Sequence, residues 1–215
     1  MDRLKNDPRK IENIKNIKNL LKIIRIAGVD EVGRGCLAGP VFSAAVILNN
    51  KINTKDIKDS KKLSFKKRIL LSRYIKKNSI YSVGIATVEE INKINILNAS
   101  LLSMKRALSK LKIKPDIAYI DGPFAPSLSI KYKTFIRGDE KIKCIAAASI
   151  IAKVSRDLFM IKLADKYPKY SWNKNFGYGT KDHLYSLKKY GITKHHREKF
   201  KPIHNILFHS TRETL

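Results

Sequence analysis

The sequence predicts an α/β domain with a mixed central β-sheet flanked by helices. Short apolar runs typical of buried strands occur along the chain together with longer segments whose apolar residues recur every three or four positions. The first two strand-like runs, 25–29 and 41–48, have no helix between them, whereas the later strands alternate with helices. This order favours an α/β domain with a mixed sheet.

The remaining elements follow from periodicity and turn residues. Three further strands are predicted at 80–87, 117–120 and 129–136. Four helices are predicted at 64–77, 88–111, 145–167 and 181–190. The helix at 145–167 begins with several alanines, whose small side chains permit close packing on a sheet. Gly191 is predicted to end the helix at 181–190. The residues after Pro202 are predicted to form a loosely attached tail.

The chain of 215 residues is long enough for one globular domain with a hydrophobic core. That domain is predicted at 26–205 and includes a C-terminal helical part. A basic amphipathic helix is predicted at 1–25, where isoleucine and leucine recur at helical spacing beside a face of lysine and asparagine. The tail then occupies 206–215.

A formal net charge of +27 predicts a polyanionic partner, and nucleic acid is the natural choice. A general bias toward lysine, isoleucine and asparagine is the alternative explanation of this charge. Cys36 and Cys144 lack the spacing of a zinc site or a disulfide framework, which favours a reduced, cytoplasmic protein. No apolar run of about 18 residues is present, so no membrane association is predicted.

Acidic residues occur beside glycine at three predicted strand ends: Asp30 with Glu31, Asp121 and Asp139. Strand ends are where ligand groups converge in α/β sheets. Converging carboxylates repel one another unless cations lie between them, and a pair of Mg²⁺ ions can hydrolyse a phosphodiester. A structural role stays open for each acid, because Asp-Gly is common in turns and adjacent strand residues face opposite ways.

Seven blocks spread across nearly the whole chain carry a specific resemblance. They are GVDEVGRGCLAGPV (28–41), DSKKLS (59–64), INILNASLLSMKRAL (94–108), YIDGP (119–123), RGD (137–139), AAASIIAKVSRD (146–157) and GYGTKDH (177–183). In sequence and order they resemble bacterial ribonuclease HII, the type 2 ribonuclease H family. The resemblance implies a ribonuclease H-like mixed sheet with a C-terminal helical region. It also implies hydrolysis of the RNA strand of RNA/DNA hybrids and nicking 5′ of single ribonucleotides embedded in duplex DNA.

The resemblance places the four catalytic carboxylates on Asp30, Glu31, Asp121 and Asp139, which would hold two Mg²⁺ or Mn²⁺ ions. Attack by an activated water would then leave a 5′-phosphate and a 3′-hydroxyl.

The same resemblance indicates residues that bind the substrate. Backbone groups of Gly33, Arg34 and Gly35 would contact the ribose 2′-hydroxyl, and Arg34 the adjacent phosphate. Tyr178 would stack on the deoxyribose that follows the ribonucleotide. Phosphate contacts are predicted for Ser60, Lys61 and Lys62. Each of these segments has a structural alternative: a tight turn for 33–35, a half-buried turn tyrosine for Tyr178 and a helix-capping loop for 60–62.

Three other positions are interpreted structurally. Asp157 is predicted to pair with nearby basic groups and His183 to be a hydrogen-bonded packing residue. The family often has His-Arg-x-Ser-Phe near its C-terminus, whereas Lys199 replaces the serine here, which leaves a detail of packing or phosphate contact in doubt.

Two other functions compete with this interpretation. A non-catalytic RNA-binding protein would explain the charge, but it has no need of four acids at strand ends. Ribonuclease HIII carries an extra N-terminal domain, for which the 25 residues before Ile26 leave too little space. The protein is predicted to be a monomer. A sliding-clamp partner is possible, although the tail ILFHSTRETL does not clearly match a clamp-binding motif.

Overall fold

The computed structural model describes residues 24–57 and 63–212, apart from the side chains of Asp56 and of 208–212. The helix predicted at 1–25 therefore lies almost wholly outside the described residues. A five-stranded sheet forms the centre of the described part, with strands β1 (Ile26–Val32), β2 (Val41–Leu48), β3 (Ser79–Ala86), β4 (Ile117–Asp121) and β5 (Lys131–Phe135).

The strands lie in the order β3-β2-β1-β4-β5. The pairs β1–β2 and β2–β3 are antiparallel, whereas β1–β4 and β4–β5 are parallel. The predicted mixed sheet is therefore confirmed. Because β1 and β4 are parallel neighbours, their carboxyl ends lie next to each other.

Seven α-helices accompany the sheet in the described residues: α1 (Phe65–Lys77), α2 (Val88–Ser109), α3 (Gly138–Lys141), α4 (Lys143–Lys166), α5 (Trp172–Asn175), α6 (Lys181–Tyr190) and α7 (Lys201–Arg212). Ser64 and Thr180 cap α1 and α6, and Thr87 forms a capping box with Glu90 at the start of α2. The helices predicted from the sequence are thus present with small shifts of their ends.

Helix α2 is not continuous as predicted. Asn95 has a φ of 67°, in the left-handed region, and interrupts the helix there. Its side-chain oxygen accepts a hydrogen bond from the Asn98 N–H at 3.0 Å, so the asparagine caps the second half of the helix. Asparagine tolerates this conformation better than other non-glycine residues, because its short polar side chain can bond locally.

Helices cover both faces of the sheet. Helix α4 packs its alanines, Ala146 to Ala148 and Ala152, against β1 and β2. Helix α2 covers the opposite face through Met104 and Leu108. The contact between β1 and α4 is close, because a Cβ placed on Gly28 would lie 2.1 Å from the backbone carbonyl carbon of Cys144. Only a glycine permits this approach, which fixes β1 against the start of α4.

The C-terminal region forms its own apolar cluster around the buried Trp172 and Leu187. Residues 203–212 lie in α7 and Ile203 is fully buried in that cluster, so the prediction of a loose chain directly after Pro202 is wrong. Proline ends a helix when it lies inside one, but in the first turn it costs no hydrogen bond. Lys199 is exposed, so the replaced serine position is not part of the packing. Among the described helices, none is sufficiently long and apolar to span a membrane.

Candidate active site

The four predicted carboxylates border one cavity of about 440 Å³. Strands β1 and β4 are paired up to Val29 and Ile120, one residue before Asp30 and Asp121. The parallel pairing therefore brings these two acids to the same edge of the sheet. Glu31 follows on β1, and the short helix α3 supplies Asp139. The structure thus places together residues that are separated by more than 100 positions in the chain.

Neighbouring donors already hold several oxygens of these carboxylates. Asp30 accepts a hydrogen bond from the Glu31 N–H at 2.7 Å. One oxygen of Asp121 accepts from the N–H groups of Gly138 and Asp139, at 2.6 and 3.3 Å. Arg34 donates to one oxygen of Glu31 at 3.3 Å. These bonds orient the acids around the cavity.

Burial disfavours the ionised form of the two acids on β1, Asp30 and Glu31. Burial raises the pKa of Asp30 well above its usual value, and the charges of Glu31 and Asp121 raise it further, against the hydrogen bond from Ser149. Burial likewise raises the pKa of Glu31, although Arg34 opposes this effect. The second carboxylate oxygen of Glu31 is buried without a hydrogen-bond partner. Such an oxygen needs a cation or a donor.

The donor set therefore fits a hard divalent cation, because it consists only of oxygen ligands. The side chains are not yet arranged as ligands, since no three Asp, Glu, His or Cys side chains within the described ranges meet as a preformed metal cluster.

Basic side chains complete the walls of the cavity, and sequence reasoning missed them. Arg68 comes from α1, Lys153 from α4, and Arg137 directly precedes α3. The last two lie within the RGD and AAASIIAKVSRD blocks, so their proximity to the acids was the available signal. Asp157 lies outside this set of lining residues and pairs with Lys153 at 2.8 Å. Its predicted pairing with a basic group is thus confirmed.

The glycine loop lies directly beside the carboxylates. Gly33 has a φ of 95°, which favours glycine, and a Cβ there would lie 2.2 Å from Nε of Arg156. No atom outside its chain neighbours lies within 4 Å of a Cβ built on Gly35, so the space above it is open. Arg34 is exposed apart from its bond to Glu31. A ligand can therefore approach the backbone closely at this loop.

Tyr178 lies in the connection between α5 and α6 and is 38% exposed. Lys153 places its amino group 5.6 Å from the centre of the Tyr178 ring. Burial, followed by the neighbouring Cys36, raises the pKa of Tyr178 to about 12. The side chain is therefore a neutral phenol at physiological pH, with part of its ring open to a stacking partner.

Of the other predicted residues, His183 is described by the structure, whereas those of the segment 60–62 are not. Ser60, Lys61 and Lys62 lie outside the described residues, so their phosphate contacts stay predictions. His183 is buried, accepts the indole N–H of Trp172 at 3.1 Å and contacts the Tyr178 carbonyl at 2.9 Å. Its predicted role as a hydrogen-bonded packing histidine is confirmed.

Comparison with solved structures defines the class of protein. A ribonuclease H2 from Pyrococcus horikoshii OT3 superposes with a TM-score of 0.74, at 26% identity over 88% of this chain and 100% of that chain. Bst-RNase HIII, solved in complex with Mn²⁺, superposes with a TM-score of 0.66 over 90% of this chain and 72% of that chain. Its sequence identity is 16%, so this likeness supports the fold alone. The fold is that of the type 2 ribonucleases H.

Sequence comparison then gives the family. The model of the family Ribonuclease HII matches residues 27–206. The Ribonuclease HII of Pelagibacter ubique (strain HTCC1062) is 58% identical over 85% of this chain and 98% of its own length. That of Wolbachia pipientis subsp. Culex pipiens is 52% identical over 83% and 91%. The chain belongs to the Ribonuclease HII family and is an endoribonuclease, which rules out a solely RNA-binding role.

Proposed function

We propose that this endoribonuclease cleaves RNA/DNA hybrids and also nicks duplex DNA 5′ of a single embedded ribonucleotide, using two divalent cations. Family membership supports cleavage of the RNA strand of RNA/DNA hybrids. The observation that carries the proposal for single ribonucleotides is the position of four carboxylates beside an open glycine loop. Chemistry and recognition of a single sugar would thus occur side by side.

Asp30, Glu31, Asp121 and Asp139 would hold the two ions. When bound, Mg²⁺ or Mn²⁺ activates water for attack on phosphorus and stabilises the charge on the leaving oxygen. The bond between phosphorus and the 3′-oxygen breaks, so that the products carry a 5′-phosphate and a 3′-hydroxyl.

The residues around the acids would orient the substrate. Backbone groups of Gly33 to Gly35 would bind the ribose 2′-hydroxyl, which distinguishes RNA from DNA. Arg34 would bind the adjacent phosphate, and Arg68 and Lys153 would offset the negative charge of the backbone. The exposed part of the Tyr178 ring would stack on the next deoxyribose.

The experiment uses a labelled duplex with one ribonucleotide and the matched all-DNA duplex, each in Mg²⁺, Mn²⁺ or excess chelator. We expect a nick only in the ribonucleotide strand, only with metal, and with a 3′-hydroxyl that a DNA polymerase extends. Absence of nicking in both ions would refute the proposal for single ribonucleotides. Nicking in chelator would refute the part that concerns metals.

Partners beyond the substrate are also proposals. An RNase HII from Archaeoglobus fulgidus, 27% identical over 84% of this chain with a TM-score of 0.64, is solved in a complex with PCNA. A sliding clamp is a second candidate partner of this chain, although the sequence at 206–215 has no clear clamp-binding motif. The monomeric state and the cytoplasmic location likewise stay predictions, and light scattering of the purified protein would test the first.

A further inference from the structure

Two arginine side chains, Arg156 and Arg197, are completely buried. Among the described residues, neither forms a salt bridge with a carboxylate. Burial lowers the pKa of Arg197 to about 10, so the guanidinium keeps its proton at neutral pH. A buried charge is costly unless hydrogen bonds compensate it. Backbone carbonyls provide this compensation for both arginines.

Arg197 bonds three backbone carbonyls of the loop that follows β1. Its Nη2 donates to the Gly33 carbonyl at 2.7 Å and to the Gly39 carbonyl at 2.8 Å. Its Nη1 donates to the carbonyl of Arg34 at 2.9 Å, and its Nε donates to that of Gly39 at 3.0 Å. One planar guanidinium thus holds both ends of the loop, which the single amino group of a lysine cannot do.

Arg156 joins the same loop to the segment that carries Tyr178. Its Nε donates to the Pro40 carbonyl at 2.9 Å and its Nη2 to the Ala38 carbonyl at 3.0 Å. Its Nη1 donates to the Phe176 carbonyl at 2.8 Å. The two candidate substrate-binding segments are therefore linked through one side chain.

Direct backbone bonds strengthen this link. The N–H groups of Leu37 and Ala38 both donate to the Gly177 carbonyl, at 2.8 and 3.2 Å, and the Arg197 N–H donates to the Leu37 carbonyl at 2.9 Å. Segments 33–40, 176–178 and 195–197 are therefore connected by both backbone and side-chain hydrogen bonds.

The direction of these bonds matters for recognition. The carbonyls of Gly33 and Arg34 point toward the buried guanidinium of Arg197. In the same peptide groups, the N–H groups of Arg34 and Gly35 therefore point away from Arg197. Within residues 24–57 and 63–212, no hydrogen bond is made by the N–H groups of Arg34 and Gly35. These successive N–H groups, which have no partner among the described residues, lie beside the open space over Gly35 and form a site for an acceptor oxygen.

We propose that Arg156 and Arg197 are positioning residues that hold the Gly33–Gly35 backbone in the arrangement that recognises the ribose 2′-hydroxyl. This inference rests on the proposed role of that loop. Neither arginine touches the substrate. Their effect is on the discrimination between a ribonucleotide and a deoxyribonucleotide at the cleaved position.

The test replaces each arginine by lysine, which keeps the positive charge and removes the multiple donors. Steady-state nicking of the single-ribonucleotide duplex gives KM and kcat, and competition by the matched all-DNA duplex gives an inhibition constant. For Arg156→Lys and Arg197→Lys we expect KM to rise about tenfold, the equivalent of one lost hydrogen bond. The inhibition constant of the all-DNA duplex, which has no 2′-hydroxyl, should stay within about twofold.

Arg106→Lys is the matched control. Arg106 also bonds a backbone carbonyl, that of Ile85 at 2.7 Å, together with the Glu90 carboxylate, but it lies on α2 away from the loop. This variant should change thermal stability without altering either constant. Each assay is run well below the melting temperature of the variant, so that partial unfolding does not contribute.

The outcomes separate the two levels of the proposal. If the unmodified protein does not nick the single-ribonucleotide duplex, the proposed function fails. If it nicks, and the two constants change together or remain unchanged in the lysine variants, the positioning role is refuted. Should one lysine variant fail to fold, the other decides. If both fail to fold while Arg106→Lys folds, the arginines are structural only and the inference is wrong.

Discussion

Acidification should destabilise the protein through one buried histidine, His196. The side chain is 1% exposed, and its Nδ1 accepts the Thr193 N–H at 2.8 Å. Its Nε2 lies 3.2 Å from Nε2 of His183, which already accepts the indole N–H of Trp172. His196 must therefore carry its proton on Nε2 and be neutral. Burial, followed by the effect of His183, lowers the pKa of His196 from 6.5 to about 3.

The sign of the effect follows from proton binding. Between pH 6.5 and about 3 the unfolded chain binds a proton on this histidine and the folded chain does not. The contribution of His196 to the free energy of unfolding is therefore fully present above pH 6.5 and is lost as the pH falls. Each pH unit within this window costs about 1.4 kcal/mol, so a change from pH 7 to pH 4.5 should cost roughly 2 to 3 kcal/mol.

Urea denaturation at pH 7 and pH 4.5 measures this change. The variant His196→Gln has no group to titrate, so its free energy of unfolding should fall by about 2 to 3 kcal/mol less than that of the unmodified protein. The difference between the two proteins cancels the contributions of the carboxylates. His204→Gln controls for the loss of an exposed histidine. An equal pH dependence in the unmodified protein and His196→Gln would show that the reasoning is wrong.

Three further substitutions test other parts of the structure. Asp121→Asn should abolish nicking while duplex affinity, measured by fluorescence anisotropy, is retained, because a charged ligand is lost and the shape is kept; full activity would contradict the site. Tyr178→Ala should reduce cleavage at a single ribonucleotide more than within a long RNA tract, with Tyr178→Phe as the control, and equal losses would argue against stacking. Gly28→Ala should lower the free energy of unfolding by about 1 to 3 kcal/mol, because its Cβ would overlap the Cys144 backbone. Unchanged thermal stability would contradict the close contact of β1 and α4.

The elements that the sequence predicted well are those with a local signal. Periodicity predicted helices α1, α2, α4 and α6 but not α3, α5 or α7, and apolar runs predicted all five strands. Strand β1 was predicted to end at Val29 but continues to Val32, because its second half pairs with β2 through Asp30–Ala44 and Glu31–Ser43. Charged residues rarely signal a strand, and only the pairing partner makes this extension favourable.

The candidate site divides in the same way. Its acids lie in short motifs beside glycine and could be recognised locally, whereas the two buried arginines could not. Arg156 and Arg197 bond loop carbonyls that lie 116 to 164 positions away in the chain. A backbone carbonyl exists at every position, so no residue type in the loop reveals such a partner. Their burial became apparent only from the folded chain.

The carbonyl contacts of the two arginines also determine what a mutational survey of this protein can detect. Replacing Leu37 or Ala38 changes a side chain but leaves the backbone carbonyl in place. Alanine substitutions at the non-glycine positions of the loop would therefore report the loss of side chains and not the bonds that hold its backbone carbonyls. The side chains whose loss would disturb the loop backbone are Arg156 and Arg197, which lie far away in the sequence. Natural variants that alter substrate choice should therefore be sought at these two arginines as well as beside the carboxylates.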